Sequence, residues 1–292
     1  MPPGARPSLT IVLPAFDEAA RIGPALDELF GYLGRLGPPR EGGRSAADLG
    51  QWDVLVVDDG STDGTAAHVE SRPEANGLDA RLRVLRREHE GKGSAVRAGM
   101  LAATGDLVVF ADADLATPPD QLPLLTEALA DHDVALGSRA HPDGSDRRAT
   151  QPLHRRFLGR VFHLLAGAWV TGSVPDTQCG FKGFHRDVAQ DLFSRQRIES
   201  IVFDAEIIHL ARRRGYRIAL VPVQWSDKRG SRMRVHAGLA GRVFLDLLRI
   251  PLIHRGVPGG AGSGGILGRG RLPANDRSPS DEQSAGSSSP TR

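Results

Sequence analysis

The sequence predicts an α/β protein built on a mainly parallel sheet with helices on both faces. Short runs of β-branched and other apolar residues alternate, through the first half of the chain, with segments whose apolar residues recur at helical spacing. Parallel strands joined by crossover helices produce that alternation. A second observation is that polar residues close each run, as happens where the strands of an open sheet deliver side chains to one shared edge. The composition allows it: 292 residues, 40% hydrophobic and 25% charged, are enough for a sizeable core in one large domain or two small ones.

The first run, LTIVLPA at 9–15, is ended by Pro14 and followed by the helical pattern AARIGPALDELFGYLGRL. The unit recurs as WDVLVVDDG with DGTAAHVES, RLRVLRRE with GKGSAVRAGMLAA, and GDLVVFADAD with PPDQLPLLTEALA, before a last run DVALGSR. GGRSAADLGQ, near residue 45, reads as a loop. Beyond Arg139 the expected order is a helix at 153–170, an irregular VPDTQCGFKGF, a helix near 203–214, a strand YRIALVPVQW and a helix near 236–250. From Gly256 onward Gly, Ser and Pro dominate and cannot bury enough apolar surface to offset chain entropy. The expected organisation is therefore one domain over 1–255 and a disordered tail over 256–292, with no internal repeat.

Net charge is only +2, yet 207–255 holds 11 Lys or Arg against two acids, Asp227 and Asp246, so this third is expected to face something anionic. Nucleic acid is not expected, because aromatics make up 5% of the chain and do not alternate with basic residues. Cys179 is the one cysteine, which excludes an intrachain disulfide and points to a reducing compartment, the cytoplasm. The opening MPPGARPSLTIVLPAFDEAA lacks a signal-peptide pattern, and no run approaches the roughly 18 apolar residues of a membrane span.

The chemistry begins where apolar runs end in carboxylates. Asp112 and Asp114, at i and i+2 after a strand, can face one hard divalent cation together with substrate phosphates. Asp58 and Asp59 close the second strand before Gly60 and Ser61, a turn into a helix whose amino end favours anions and for which Thr62 or Asp63 is the expected cap. In EHEGKGSAVRAG, Gly91 and Gly93 flank Lys92, as though to let backbone and ammonium approach a phosphate. The full G-x-x-x-x-G-K-[ST] spacing is missing, as is a G-x-G-x-x-G after the first strand, which disfavours P-loop and dinucleotide-binding chemistry.

Taken in order, VLPAFDEAARI, VVDDGSTDGT, GKGSAVRAG, FADADLATPPD, LGSRA, DTQCGFKGF and WSDKRGSRMRV resemble the family 2 inverting glycosyltransferases of the polyprenyl-phosphate (dolichyl-phosphate) hexose synthase type, over about residues 8–250. The resemblance implies a glycosyltransferase A fold, a single Rossmann-like domain. It implies that Pro14, Ala15 and Glu18, with Asp58 and Gly60, hold the base and ribose of a nucleotide-sugar donor. Asp112 and Asp114 would bind Mg2+ or Mn2+, and Lys92 would support the same nucleotide. The acceptor would be a polyprenyl phosphate, with Arg139, Arg155, Lys182, Arg229 and Arg232 as candidate cations and Ser231 in the same KRGSRM loop. Arg139, Lys182 and Arg229 join the two aspartates as the expected catalytic set, and Asp176 and Asp204, with Glu206, fall on motif positions. Ala116, where mannosyl members carry Gln or His, and DTQCGFK favour glucose from UDP-glucose over mannose from GDP-mannose. A sugar-nucleotide nucleotidyltransferase would need a basic Gly-rich loop where this chain has PAFDEAAR, and a non-catalytic binder of anionic lipid leaves both carboxylate motifs without a use. Two amphipathic stretches with basic faces, 153–170 and 239–250, suggest peripheral attachment to an anionic surface at the cytoplasmic face of a membrane. In the second, Leu239, Val243, Phe244, Leu247 and Ile250 are set against Arg242, Asp246 and Arg249.

Overall fold

The computed structural model describes residues 6–35, 49–140, 170–172, 174–226 and 237–260. The expected alternation is present through the first half: β1 (Leu9–Ala15), α1 (Ala19–Leu33), β2 (Trp52–Asp58), α2 (Thr65–Glu70), β3 (Leu82–Arg86), α3 (Lys92–Ala102), β4 (Leu107–Ala111), α4 (Leu122–Ala128) and β5 (Val134–Ser138). There follow β6 (Phe181–His185), α5 (Arg186–Arg195), α6 (Phe203–Arg214), β7 (Ile218–Pro222) and α7 (Ala237–Ile253). Among the described residues these strands form one seven-stranded sheet in the order β3-β2-β1-β4-β6-β5-β7. β6 runs antiparallel to both neighbours, and every other pairing is parallel.

Successive side chains of a strand point to opposite faces, so each central strand feeds two cores. Ile11, Leu13, Val54, Val56 and Val109 pack with Leu26 and Leu29 of α1, Val69 of α2 and Leu125 of α4. Val12, Leu55, Val57, Val108 and Phe110 pack on the other side with Val96 and Met100 of α3, Leu192 of α5, Leu210 of α6 and Leu247 of α7. In α1 the buried positions 22, 26, 29 and 33 trace the apolar stripe that predicted the helix. α6 carries Asp204 and Glu206 in its first turn and Arg212 to Arg214 in its last, each sign at the favourable end of the helix dipole.

Three expectations change. The stretch VPDTQCGFKGF is not wholly irregular, because its last residues start β6, which leads directly into α5. The tail does not begin at Gly256: Arg213 donates to the Val257 carbonyl at 2.8 Å, Gly260 N donates to Arg213 O at 3.2 Å, and Val257 packs on the core. In α7, Leu247 and Ile250 are buried while Phe244 is exposed, and Asp246, expected on the polar face, is 6% exposed and accepts from the Ser200 hydroxyl. Residues 153–169 of the expected 153–170 helix and the residues from 261 onward lie outside the described residues.

Candidate active site

The carboxyl ends of the parallel strands and the amino end of the antiparallel β6 share one edge of the sheet. Register sets Ala15 beside Asp58 and Ala111 beside Phe181. The residues just beyond, Phe16 to Glu18, Asp58 to Ser61, Asp112 to Asp114, Arg139 and Asp176 to Gly180, are thereby gathered there. The two non-glycine residues with positive φ among those described, Asp17 (52°) and Leu115 (48°), both lie in these loops. Held backbone strain of this kind concentrates at working sites.

Asp112 and Asp114 extend from β4 as expected. The Lys92 ammonium donates to Asp112 Oδ1 at 2.5 Å, and Asp114 accepts from Ala116 N at 3.0 Å. Burial raises the Asp114 carboxyl above the usual carboxylate range, and the neighbouring charge of Asp112 raises it further. At Lys92 burial opposes the charge, but Asp112 and Asp204 outweigh it and hold the ammonium above its ordinary value. Two crowded carboxylate donors are the ligand type a hard divalent ion takes, and its charge would relieve the repulsion felt at Asp114. The residues present therefore fit Mg2+ or Mn2+. Gly180 is needed beside them: a Cβ there would lie 2.0 Å from Asp112 Oδ2.

The side expected to hold the donor is a pair of stitched loops. Asp17 N donates to the Ser61 hydroxyl at 2.9 Å, Thr62 N to Asp17 Oδ1 at 3.0 Å, Glu18 N to Thr65 Oγ1 at 2.8 Å and Ala19 N to Asp63 Oδ2 at 3.0 Å. Asp63 thus ties two loops together, and Gly64 takes the capping position of α2. Pro14 and Ala15 are buried within β1. The Glu18 carboxylate is held by the Arg21 guanidinium through two bonds of 2.5 and 2.6 Å. Asp58 is 4% exposed; its Oδ2 receives Ser61 N at 3.3 Å, while Oδ1 is buried without a hydrogen-bond partner. Gly60, at φ +77°, passes so close to His89 N that a Cβ would lie 2.7 Å from it.

Two residues have roles that the sequence reading did not assign them. Asp59, 2% exposed, accepts from Glu90 N at 3.1 Å and Gly91 N at 3.0 Å and thereby sets the loop that presents Lys92. Phe16, 41% exposed, stacks on His89 with ring centroids 4.0 Å apart. The glycines around Lys92 also have a reason other than the expected one. A Cβ on Gly93 would lie 2.8 Å from the carbonyls of Ile198 and Glu199, and Gly93 N donates to Glu199 O at 2.8 Å. They admit the segment before α6 against α3.

The expected cations divide. Lys182 is 0% exposed and donates to Asp204 Oδ1 at 2.7 Å and to Cys179 O at 2.6 Å, so it is a buried brace and not a group facing an anion. Burial raises the Asp204 carboxyl, with Lys182 and Lys92 opposing. Arg139 grips Asp176 through Nε and Nη2, each at 2.7 Å, and lies 5.4 Å from the centroid of the Trp225 ring. Glu206 is buried too, accepting from Arg197 N, Ile198 N and His254 Nε2 at 2.8, 2.9 and 2.6 Å, which makes it a support for the loop before α6. Burial pushes the free Cys179 thiol up to about 12, so it is inert. Arg155, Arg229, Ser231 and Arg232 lie outside the described residues.

A largely parallel sheet with one antiparallel strand, whose central strand ends in a D-x-D pair beside stitched loops, is the architecture of a glycosyltransferase of the A fold. Residues 10–193 match the glycosyl transferase family 2 model. The chain is 35% identical over 253 residues to a dolichyl-phosphate beta-glucosyltransferase of Trichomonas vaginalis, covering 84% of this chain and 71% of that one. It is 36% identical over 233 residues to the dolichyl-phosphate beta-glucosyltransferase of Drosophila melanogaster, covering 77% and 69%. Glucosyl-3-phosphoglycerate synthase of Mycobacterium tuberculosis, solved with phosphoglyceric acid, shares the fold at a TM-score of 0.55 and 20% identity, covering 86% of this chain and 81% of that one. The chain belongs to glycosyl transferase family 2, and it is a glycosyltransferase.

Proposed function

We propose that the protein transfers glucose from UDP-glucose, with inversion, to a polyprenyl phosphate of the dolichyl-phosphate type, working as a peripheral protein at the cytoplasmic face of a membrane with Mg2+ or Mn2+. The observation that carries this reading is the meeting, on one sheet edge, of the Asp112 and Asp114 carboxylates, Lys92 and the unsatisfied Asp58 oxygen. Similarity to dolichyl-phosphate beta-glucosyltransferases over most of the chain supports the sugar and the lipid acceptor. The Mycobacterium tuberculosis synthase was solved with UDP and either Mn2+ or Mg2+, and these are the ions named here. The single cysteine, buried and reduced, supports the cytoplasmic face.

Each part of the site has a task in this reading. A buried carboxylate oxygen without a partner asks for a donor, and Asp58 Oδ1 would accept one from the nucleoside. The exposed Phe16 ring, backed by His89, offers a flat apolar surface to the base. Asp112 and Asp114 would hold the divalent ion, which when bound neutralises charge on the departing diphosphate. Lys92, kept protonated by Asp112 and Asp204, adds a positive charge at the same place. The acceptor phosphate, with a second pKa of about 6, is already anionic near neutral pH and attacks without a strong general base. Cations must gather it, and Arg155, Arg229 and Arg232, with Ser231, are assigned that task; Arg139 and Lys182 shape the floor through Asp176 and Asp204.

Incubating the purified protein with a polyprenyl phosphate and UDP-glucose, GDP-mannose or UDP-N-acetylglucosamine, with Mg2+ or Mn2+, tests the reading by the mass of the lipid product. A hexosyl lipid from UDP-glucose is expected. Product from GDP-mannose alone would move the protein to mannosyl transfer, and no lipid product from any donor would overturn the acceptor.

A further inference from the structure

Six large hydrophobic side chains are exposed among the described residues, and four of them, Phe244, Leu245, Leu248 and Leu252, lie on α7. They are not the face that holds the helix in place. Leu247, Ile250 and His254 are buried against the rest of the molecule, and Val243 packs beside them. α7 is thus apolar on two sides, where a helix packed on a sheet needs only one.

Along α7 and the turn after it, the described exposed charges have one sign. Asp246 is the only acid in 237–260, and it is turned inward at 6% exposure, bonded to the Ser200 hydroxyl at 2.7 Å and to Arg249 at 3.2 Å. Arg249 and Arg255 are exposed along the stripe. Arg213, also exposed, donates to the Arg255 carbonyl at 2.6 Å and so brings a further cation to its far end. The exposed side of α7 itself offers Phe, Leu and Arg, with the exposed Glu199 lying only at its catalytic end beside Ser200; such a surface complements an anionic bilayer, which takes apolar groups below its headgroups and cations among them. A second copy of the same surface would instead set arginine against arginine.

The stripe also starts beside the catalytic edge. Asp246, in the turn of Phe244 and Leu245, is bonded to Ser200; the next residue back, Glu199, accepts from Gly93 N, and Gly93 follows Lys92, whose ammonium holds Asp112. α7 runs parallel to α6, as the bonds of Ser200 to Asp246 and of Glu206 to His254 show, so the stripe extends from that edge along the outside of the molecule.

We propose that the outer stripe of α7, Phe244, Leu245 and Leu252 flanked by Arg249 and Arg255, is the surface by which the protein lies on an anionic membrane, next to the mouth of its active site. The proposal rests on the lipid-phosphate acceptor assigned above and adds the face that brings the enzyme to it. No helix among the described residues is long and apolar enough to cross a membrane, and this stripe needs none.

The test uses the full chain and vesicles of phosphatidylcholine with or without phosphatidylglycerol. The wild type is expected to co-sediment with anionic vesicles at low salt and to be released by added salt. The triple variant Phe244→Ser, Leu245→Ser, Leu252→Ser should bind at least about tenfold more weakly. Its affinity for UDP-glucose by calorimetry should not change, and its thermal midpoint should fall by only a few degrees, because the replaced side chains lie outside the core and Ser is a weaker helix former than Leu. Arg249→Gln with Arg255→Gln should weaken binding to anionic vesicles by about fivefold or more and leave binding to neutral ones as it was. Transfer to polyprenyl phosphate embedded in vesicles should fall in the triple variant, while transfer to a short water-soluble polyprenyl phosphate holds. A wild type left in the supernatant, or a triple variant that sediments like it, overturns the proposal. So does a wild-type dimer in analytical ultracentrifugation that the triple variant loses, since the stripe would then be covered by a second copy. A wild type that binds vesicles but transfers no hexose to any polyprenyl phosphate defeats the functional reading and leaves the docking surface standing.

Discussion

A lysine ammonium with no solvent around it persists only beside a charge that satisfies it. Lys182 meets that condition through Asp204, 22 positions away in sequence, and the pair closes the floor beneath Lys92 and Asp112. Removing one partner of a buried pair leaves the other charge uncompensated, so Lys182→Met is expected to cost about 3–5 kcal/mol of unfolding free energy. Urea titration measures the loss, and Lys182→Met with Asp204→Leu should recover most of it. A Lys182 that contacted substrate would show the opposite pattern, normal stability with lost turnover. Asp114 is the contrasting case. It stands on a loop beyond β4, where Asn fits the same space but makes a poorer ligand for a divalent cation. Asp114→Asn should lower hexose transfer at least about 100-fold, with a urea midpoint near that of wild type. The two aspartates could be picked out from sequence because their spacing is local and follows an apolar run. Lys182 looked like an anion-facing cation because its partner is set by the packing of α6 on β6.

At the scale of elements, the first five strands and four helices announce themselves because each has an unbroken apolar pattern between turn residues. β6 does not: FKGFH is five residues long and contains Lys and Gly, and it is a strand because β4 and β5 both pair with it. α5 then returns across the sheet and is anchored from its middle by Asp191, which accepts from Arg195, Arg214 and Tyr216. Burial opposes the charge on Asp191, but these three donors, Arg214 foremost, outweigh it and hold the carboxyl below its ordinary range. A depressed carboxyl stabilises the fold above its unfolded value, about 4, and the contribution fades as pH falls through the lower folded value. Asp191→Asn should therefore cost about 1 kcal/mol at pH 7, and the difference from wild type should shrink as the pH is lowered below about 4. Denaturant titrations across the acid range measure it. A difference independent of pH would mean that α5 is held by packing alone.

For the whole molecule, the end of the domain was expected at residue 255, yet the chain continues along α6 to Gly260 through Val257 and the Arg213 contacts. Truncation after Gly260 is expected to leave the thermal midpoint and transfer to a soluble acceptor unchanged. Truncation after Arg255 should lower the midpoint by about 2–4 °C; equal midpoints for the two would show that 256–260 adds nothing to the fold. The sequence by itself determined the fold class, the strand ends and the D-x-D pair, because periodicity and short-range spacing are properties of neighbouring residues. Only the tertiary structure decided that β6 reverses the sheet, that Lys182, Arg139 and Glu206 are braces, and that the face of α7 centred on Leu247 and Ile250 goes inward while Phe244 and Leu245 stay outside. Both sides of that helix are apolar in sequence, and the choice between them belongs to what packs beside it: Ser200 binding Asp246 and Glu206 binding His254 turn one side to the core and leave the other to solvent.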